Sequence, residues 1–548
     1  MGLPSLSYPG REGEPLANLW YPEAPDMITP WQLANLRNRI TDNMGYFVVI
    51  PRTHHDVSAA VQFAVQHNIG ISVFSTGHEF NERNGGPGPN TLLIRTTCLN
   101  SVDFDLSEDN AYSAPDGVVR VGAGLTWGIS KFGAQGVHQL AAEQGRVVVS
   151  GHAGNVGVVG WSLGGGHGQL VGIFGMGVDQ VVEVELVGAD GSLIVAREEG
   201  TKVTSGDGLR TEETADSSLF WALRGGGAGP WGVVTKLTIK VHKPRENCQE
   251  GCYTQWSMVW EGSYDKDDGK MAEEVLHAYL KWTAVASKYW SSYLSLYPDE
   301  NGNYYLALSE ALYVGREEDL GDFWGLEEAM GQVHPDSRVI NERSTFDTFL
   351  QKLENQTPES VTAINYGADP MVSVLLNATS VVDPSYAKTV IDHWIPRCYR
   401  TGLGPACVVT YLFMHTVSTG EEDDDYTGTA VSLPFRRAKM HVGSLGYGSL
   451  GAELTWEQRV EFAHDVVGPA MYKYSSGSYY SESEFSLTGE AWKERFWGLD
   501  IYSRLLEVKT VWDPAGVFSC RHCVGEGEER GEVVPGTRPS WRWSNENC

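Results

Sequence analysis

No run in this chain of 548 residues approaches 18 uninterrupted apolar positions, so no helix is expected to span a bilayer. Basic residues are scarce and scattered. The 41 Lys plus Arg stand against 70 Asp plus Glu, a formal net charge of −29, and they form no block of five or more. Phosphate backbones and anionic membrane surfaces are repelled by such a field, so neither nucleic acid nor membrane is an expected partner. Cysteine is sparse as well, at eight. The local pairs Cys248/Cys252 and Cys520/Cys523 lack the second pair at finger-like spacing that zinc requires, and no metal site is expected. The even count, with N-x-S/T sequons at Asn355 and Asn377, points instead to disulfides and an oxidising compartment, hence a secreted protein. The first 30 residues are polar and Pro-rich and show no apolar leader.

What is abundant is glycine, at 63 residues, and it gathers in short runs without a G-X-Y period. Such runs report special backbone turns. The length favours two or three domains, or one large domain with an inserted partner. From about residue 45 to 243, strand-like and helix-like text alternates. YFVVIP leads to DVSAAVQFAVQHN, whose Val57, Ala60, Val61, Ala64 and Val65 recur at helical spacing, and then to IGISVFSTGH; this is a βαβ-like unit. Strands are expected at TLLIRT, VVRVGAG, QVVEVELV, SLIVA and GVVTKLTIKVHK. Beyond Pro244, aromatic strands (SSYLSLYP, NYYLALSEALYVG) mix with amphipathic helices (MAEEVLHAYLKWTAVA). The acidic GEEDDDY at residues 420–426 reads as a solvated loop. Near the end, WKERFWGLDIYSRLLEVKTVWDPAG reads as one helix closed by Asp513-Pro514 and Gly516.

Three glycine clusters, TGHEFNERNGGPG, GNVGVVGWSLGGGHG and LRGGGAGPWGVVT, each border a strand. Backbone N–H groups in such loops can approach an anion closely, which suits a pyrophosphate in an acidic protein. Tight turns alone would also explain them. A dinucleotide fingerprint fails, because GAGLTWG carries Trp127 where its third glycine belongs and no acidic residue follows at the right offset. A P-loop fails too, since no glycine run ends in Lys-Ser or Lys-Thr.

The text PRTHHDVSAAVQFAVQHNIGISVFSTGHEFNERNGG resembles the first half of the PCMH-type FAD-binding domain of the vanillyl-alcohol oxidase superfamily. GVVGWSLGGGHGQLVGIFGMGVDQVVEVELVGADG and DSSLFWALRGGGAGPWGVVTKLTIKVHK continue it in order. WGLDIYSRLLEVKTVWDPAGVF is similar to the closing segment of the berberine-bridge-enzyme-like branch, most like its fungal-type members. The resemblance implies an α+β, two-domain flavoprotein. Its FAD domain would be built from residues 1–243 and 476–548, and an inserted substrate domain, residues 244–475, would be an antiparallel sheet backed by helices.

The resemblance further implies that His78, in the GH turn, is joined to the 8α-methyl of FAD. A second, cysteinyl link is not expected, because the matching position holds Ala153 or, with the register shifted by one, His152. Thr76, Gly77, Gly157, Gly160, Gly164, Gly165, Gly166 and Gly168 are expected along the flavin and pyrophosphate path, and Asp179 and Val233 near the nucleotide half. Arg83 is either a phosphate partner or a surface arginine.

Oxidation of an alcohol or amine needs a base to take a proton while hydride leaves. In SGSYYSESEF, read as a strand, Glu482 occupies the position that faces the flavin in the family. Burial beside an apolar ring would raise its pKa and suit it to acid or base work. Alternation on a strand would place Tyr480 on the same face. AVSLPFRRAKMHVG resembles a Pro-x-x-Arg strand of the substrate domain, in which Arg437 would orient the substrate or make a structural ion pair. The expected function is an oxidase that takes hydride from a small alcohol, sugar or secondary metabolite and passes electrons to O2. The alternative is a non-redox isomerase or cyclase with Glu482 as general acid.

Overall fold

A computed structural model describes residues 19–20, 47–79, 81, 83, 91–128, 135–244, 251–298, 303–315, 321–354, 371–400, 410–415, 428–445, 461, 463–475, 477–483 and 487–527. The acidic loop at 420–426 and the sequon at Asn355 lie outside the described residues.

The first sheet contains β1 (Leu19–Trp20), β2 (Phe47–Val49), β3 (Gly70–Phe74) and β4 (Thr91–Arg95) in the order β1-β2-β4-β3, with β2 and β3 both parallel to β4. Helix α1 (His54–Gln66) makes the crossover. It starts where Thr53 and Asp56 cap each other reciprocally, Asp56 N–H donating to Thr53 Oγ1 at 3.3 Å and Thr53 N–H to Asp56 Oδ2 at 3.0 Å. It buries Val57, Ala60, Val61 and Ala64, the stripe visible in the sequence. A parallel strand must end in a loop at the sheet's carboxyl edge, and for β3 that loop is residues 75–79, which carry His78.

The second sheet is antiparallel: β5 (Val102–Asp105), β6 (Val118–Gly122), β7 (Val181–Val187), β8 (Leu193–Arg197), β9 (Gly200–Thr204), β10 (Thr211–Thr214) and β11 (Val233–Lys240), in the order β10-β9-β8-β7-β11-β6-β5. Between β6 and β7 run α2 (Val137–Glu143), α3 (Val158–Leu163) and α4 (Gly177–Gln180).

The third sheet follows β11 in the chain. Its strands are β12 (Tyr253–Ser263), β13 (Trp290–Pro298), β14 (Asn303–Val314), β15 (Arg338–Phe346), β16 (Val372–Leu376), β17 (Thr410–His415) and β18 (Met440–Leu445), antiparallel in the order β15-β12-β14-β13-β17-β18-β16. One face is sealed against α5 (Lys270–Val285) and its neighbours by Trp256, Trp260, Tyr279, Trp290 and Tyr313. The other face sends Tyr293, Leu312, Leu375 and Met414 into the core shared with the first two sheets. Because strand side chains alternate, one sheet therefore holds the helices on one side and faces the first two sheets on the other. Helix α6 (Phe349–Glu354) follows β15 on this second side, where Phe349 and Leu353 join the same core.

Three expectations of local structure are corrected. The closing helix is two helices, α7 (Ala491–Phe496) and α8 (Leu499–Trp512), split at Gly498, whose φ of +80° is incompatible with a continuous helix. Residues 477–483 form a turn instead of a strand, closed by Glu482 N–H on the Tyr479 carbonyl at 3.2 Å. The Pro-x-x-Arg text is a single helical turn, Leu433–Arg436, and Arg437 is its cap.

Candidate active site

Three chain segments far apart in sequence converge. The loop after β3 reaches the start of α3: a Cβ on Gly157 would lie 3.2 Å from Ser75 Oγ and 3.5 Å from Thr76 Oγ1. The same loop reaches the 477–483 turn, where Asn81 Nδ2 donates to Ser483 Oγ at 2.5 Å. The turn in turn meets the triple glycine, since a Cβ on Gly164 would come within 2.2 Å of Ser481 Oγ. His78 therefore sits, half-buried, in a loop bracketed by the two other segments predicted to meet the cofactor.

Several predicted cofactor residues turn out to be committed to protein contacts. A Cβ on Gly165, at φ +128°, would strike the Phe435 ring at 2.6 Å; on Gly166 it would meet Gly177 and Trp161 within 3.0 Å, and on Gly168 the Ser150 carbonyl oxygen at 1.9 Å. These glycines are explained by close backbone packing without a ligand. Gly160 differs, being exposed with nothing within 4 Å of its Cβ position. The Val233 side chain is fully buried on β11 opposite Val187, and Asp179 accepts two 2.8 Å hydrogen bonds from the Arg436 guanidinium. Arg83 pairs through Nη1 with Glu79 at 2.9 Å and lies over the Tyr480 ring at 3.8 Å, while its Nε and Nη2 have no hydrogen-bond partner among the described residues.

The residues present nevertheless fit a flavin nucleotide. Ser75 Oγ and Asn155 Oδ1 are buried, flank Gly157, and have no hydrogen-bond partner among the described residues. Leaving such groups unsatisfied costs about 1–3 kcal/mol each, so their position around Gly157 suits a polar ligand that supplies the partners.

Around Glu482 the turn geometry decides the neighbours. In a strand Tyr480 would share its face; in the observed turn, positions i and i+3 come together, and Tyr479 is the tyrosine near the carboxylate. Tyr480 instead packs among Arg83, Trp497 and Cys523, its hydroxyl 3.7 Å from Cys523 Sγ. Glu482 stands between two buried histidines that the sequence reading missed: His167 Nε2 is 4.0 Å from Oε1 and His441 Nδ1 is 3.7 Å from Oε2. The signal for His167 lay in the GGGHG run; nothing in the text around His441 distinguishes it from a core histidine on β18. Ser373 Oγ, on β16, meets His441 Nε2 at 2.8 Å and accepts the Tyr479 N–H at 3.1 Å, so the ring is oriented from behind. Burial lowers the pKa of both imidazoles, to about 4 for His167 with the charge of His152 adding to it, and both are neutral at pH 7. Tyr293, on β13, and Tyr479 are buried and held above the usual tyrosine range, by desolvation first and then by carboxylate charge, that of Glu310 and Glu482 for Tyr293 and that of Glu482 for Tyr479; both stay protonated.

A second cluster supports the first. Glu310, on β14, sits 3.1 Å from His152 Nε2, accepts from Gln169 Nε2 at 3.2 Å, and pairs with Lys352 Nζ on α6, which also donates to Gln169 Oε1 at 2.6 Å. Burial pushes the Glu310 pKa up, but His152 and Lys352 outweigh it and hold the carboxyl well below its usual range. This cluster ties the 150–169 segment to the third sheet. Arg437 is half-buried at its helical cap, and its neighbour Arg436 is the buried member of the pair.

Residues 46–197 match the family model described as FAD binding domain, and residues 477–525 match that described as berberine and berberine like. The chain is an FAD-linked oxidoreductase of the vanillyl-alcohol oxidase superfamily, in its berberine-bridge-enzyme-like branch. The two matched regions of this oxidoreductase include all three converging segments. Among curated relatives it is 26% identical to the FAD-linked oxidoreductase ffsJ of Aspergillus flavipes, covering 89% of this chain and 76% of that one. It is equally 26% identical to the VAO-type flavoprotein oxidase VAO615 of Thermothelomyces thermophilus, over 91% and 78%. A third relative, the bifunctional decalin synthase calF of Penicillium decumbens, is 26% identical over 86% and 74%. Among solved structures, the VAO-type flavoprotein MtVAO713 of Myceliophthora thermophila C1 superposes with a TM-score of 0.71 at 22% identity, covering 89% of this chain and 81% of that one. The fold is thus the two-domain one of this family, as the sequence implied. No helix among the described residues is long and apolar enough to cross a membrane. Cys520 and Cys523 form a disulfide with Cα atoms 5.3 Å apart, and Cys98 is disulfide-bonded as well.

Proposed function

We propose that this oxidoreductase is an oxidase of small alcohols, sugars or secondary metabolites that carries FAD on a single covalent bond to His78. The observation that supports it most directly is Glu482, a half-exposed carboxylate between two neutral imidazoles, in a turn that touches both the His78 loop and the glycine run. Bound FAD supplies the hydride acceptor and passes the electron pair to O2, so that an alcohol and O2 yield a carbonyl compound and H2O2. Glu482 takes the hydroxyl proton. His167 and His441, both uncharged, flank the carboxylate on either side and add no positive charge of their own. Tyr293, held protonated, donates a hydrogen bond to the substrate oxygen. Ser75 and Asn155 would hold the cofactor's polar groups beside His78, and with His152 and Ala153 at the matching position there is no thiol for a second link. The disulfides support a secreted protein.

The test is anaerobic mixing with a panel of primary alcohols, oligosaccharides and polyketide alcohols, followed by admission of air. Bleaching of the flavin band, then its return with one H2O2 per turnover, supports the reading. A second reading, non-redox cyclisation with Glu482 donating its proton, is favoured by the decalin synthase relative. Product formation without bleaching would select it.

A further inference from the structure

We propose that His167, His441 and Glu482 form a binding site for a divalent transition-metal ion of the zinc type, and that the seated ion takes the carboxylate out of proton transfer. One ligand atom from each residue lies within 4.8 Å of the others. The observed N···O separations are 4.0 Å to His167 and 3.7 Å to His441. Four ligands at zinc's usual bond length of about 2.1 Å stand about 3.4 Å apart, so ligand atoms that already lie within 4.8 Å of one another close on the ion with shifts on the order of an ångström. Glu482 is the member with room to make them, its side chain being 27% exposed while those of His167 and His441 are 8% and 0% exposed.

The outer contacts are those of a ligand set. His441 is fully buried, its Nε2 is engaged by Ser373 Oγ, and its Nδ1, aimed at the carboxylate, makes no hydrogen bond among the described residues. In the tautomer whose Nε2–H donates to Ser373 Oγ, Nδ1 presents its lone pair, the arrangement that orients metal-bound histidines. Two imidazoles and one carboxylate leave a fourth position open to water or substrate, as in catalytic zinc sites. The three residues come from the glycine run, β18 and the 477–483 turn, so no sequential spacing announces them. The binding half of the inference uses the side chains of the proposed active site without its redox chemistry, and the inhibitory half rests on the proposed function.

The full protein is stripped with a chelator, dialysed against low-micromolar zinc without substrate, and its metal content is measured by mass spectrometry. The wild type is expected to retain one zinc per chain beyond the stripped control, and His441→Gln and His167→Gln to lose it at unchanged flavin content. Ser373→Ala, which removes only the outer partner, should weaken binding by roughly 10- to 100-fold. This variant carries the test if the histidine variants do not fold. No stoichiometric zinc in the wild type, or zinc held equally by His441→Gln and Ser373→Ala, overturns the site. Zinc should also slow substrate-driven flavin reduction, reversibly on chelation; bound zinc with unchanged reduction overturns the inhibitory half of the proposal. The binding measurement needs no turnover, so failure of the oxidase reading leaves it intact.

Discussion

Glu310→Gln probes the buried cluster that joins the two halves of the site. Glutamine preserves shape and can still meet Gln169 and His152, but it removes the negative charge facing Lys352, which is 1% exposed. Burial already lowers the Lys352 pKa, and Glu310 is what pulls it back up. Without that carboxylate the ammonium must lose its proton or stay charged in the interior at a cost of several kcal/mol. Deprotonation sets the ceiling. Starting from an ordinary lysine pKa of about 10.4, it costs about 4.6 kcal/mol at pH 7 and about 1.9 kcal/mol at pH 9. The folded variant then binds one proton fewer than its unfolded chain, so its stability rises with pH by up to about 1.4 kcal/mol per unit. Urea unfolding at pH 7, 8 and 9 should show a wild-type-to-variant gap that is largest at pH 7 and narrows toward pH 9. Adding Lys352→Met should recover most of the loss, because it removes the buried ammonium that the first substitution leaves without a counter-charge. A gap below about 1 kcal/mol at pH 7, or one that does not change with pH, refutes the reasoning.

Glu482→Gln is expected to slow anaerobic flavin reduction by roughly 10²- to 10⁴-fold in stopped-flow measurements while ligand affinity stays nearly constant; an unchanged rate removes the residue from the mechanism. His78→Ala should release yellow colour into the supernatant on acid precipitation, where the wild type keeps it in the pellet. Colour in the wild-type supernatant would end the covalent assignment. Gly165→Ala, forced to φ +128° with its Cβ 2.6 Å from the Phe435 ring, should lose about 2–4 kcal/mol, from backbone strain plus overpacking. Thermal unfolding of this variant in a Phe435→Leu background should show part of the loss relieved, and equal losses in both backgrounds would exclude the clash.

Much of the fold was legible in local pattern. The apolar stripe on α1 and strands of the second sheet are written in local spacing, and the structure repeats them. The candidate site was legible only in part. Glu482 was found through the resemblance, yet its tyrosine partner was misassigned, because period-2 alternation was applied to residues that close a turn. Gly165, Gly166 and Gly168 were legible as a glycine run, but the protein atoms that crowd their Cβ positions arrive from elsewhere in the chain and are seen only in the fold. The pairing of Asp179 with Arg436, 257 positions away, is likewise visible only in the folded chain.

The sequence by itself determined the strands, the helices, the acidic field and, through four ordered blocks, the family. Those properties depend on neighbours within a turn or a strand, or on sums over the chain. Which carboxylate stands between which histidines, and which lysine lies beneath them, was decided only by the tertiary structure. His167, Lys352, His441 and Glu482 come from four separate segments, and each is an ordinary residue in its local text. Their chemistry arises from burial and from one another's charges, and both exist only once the third sheet has closed over the glycine run.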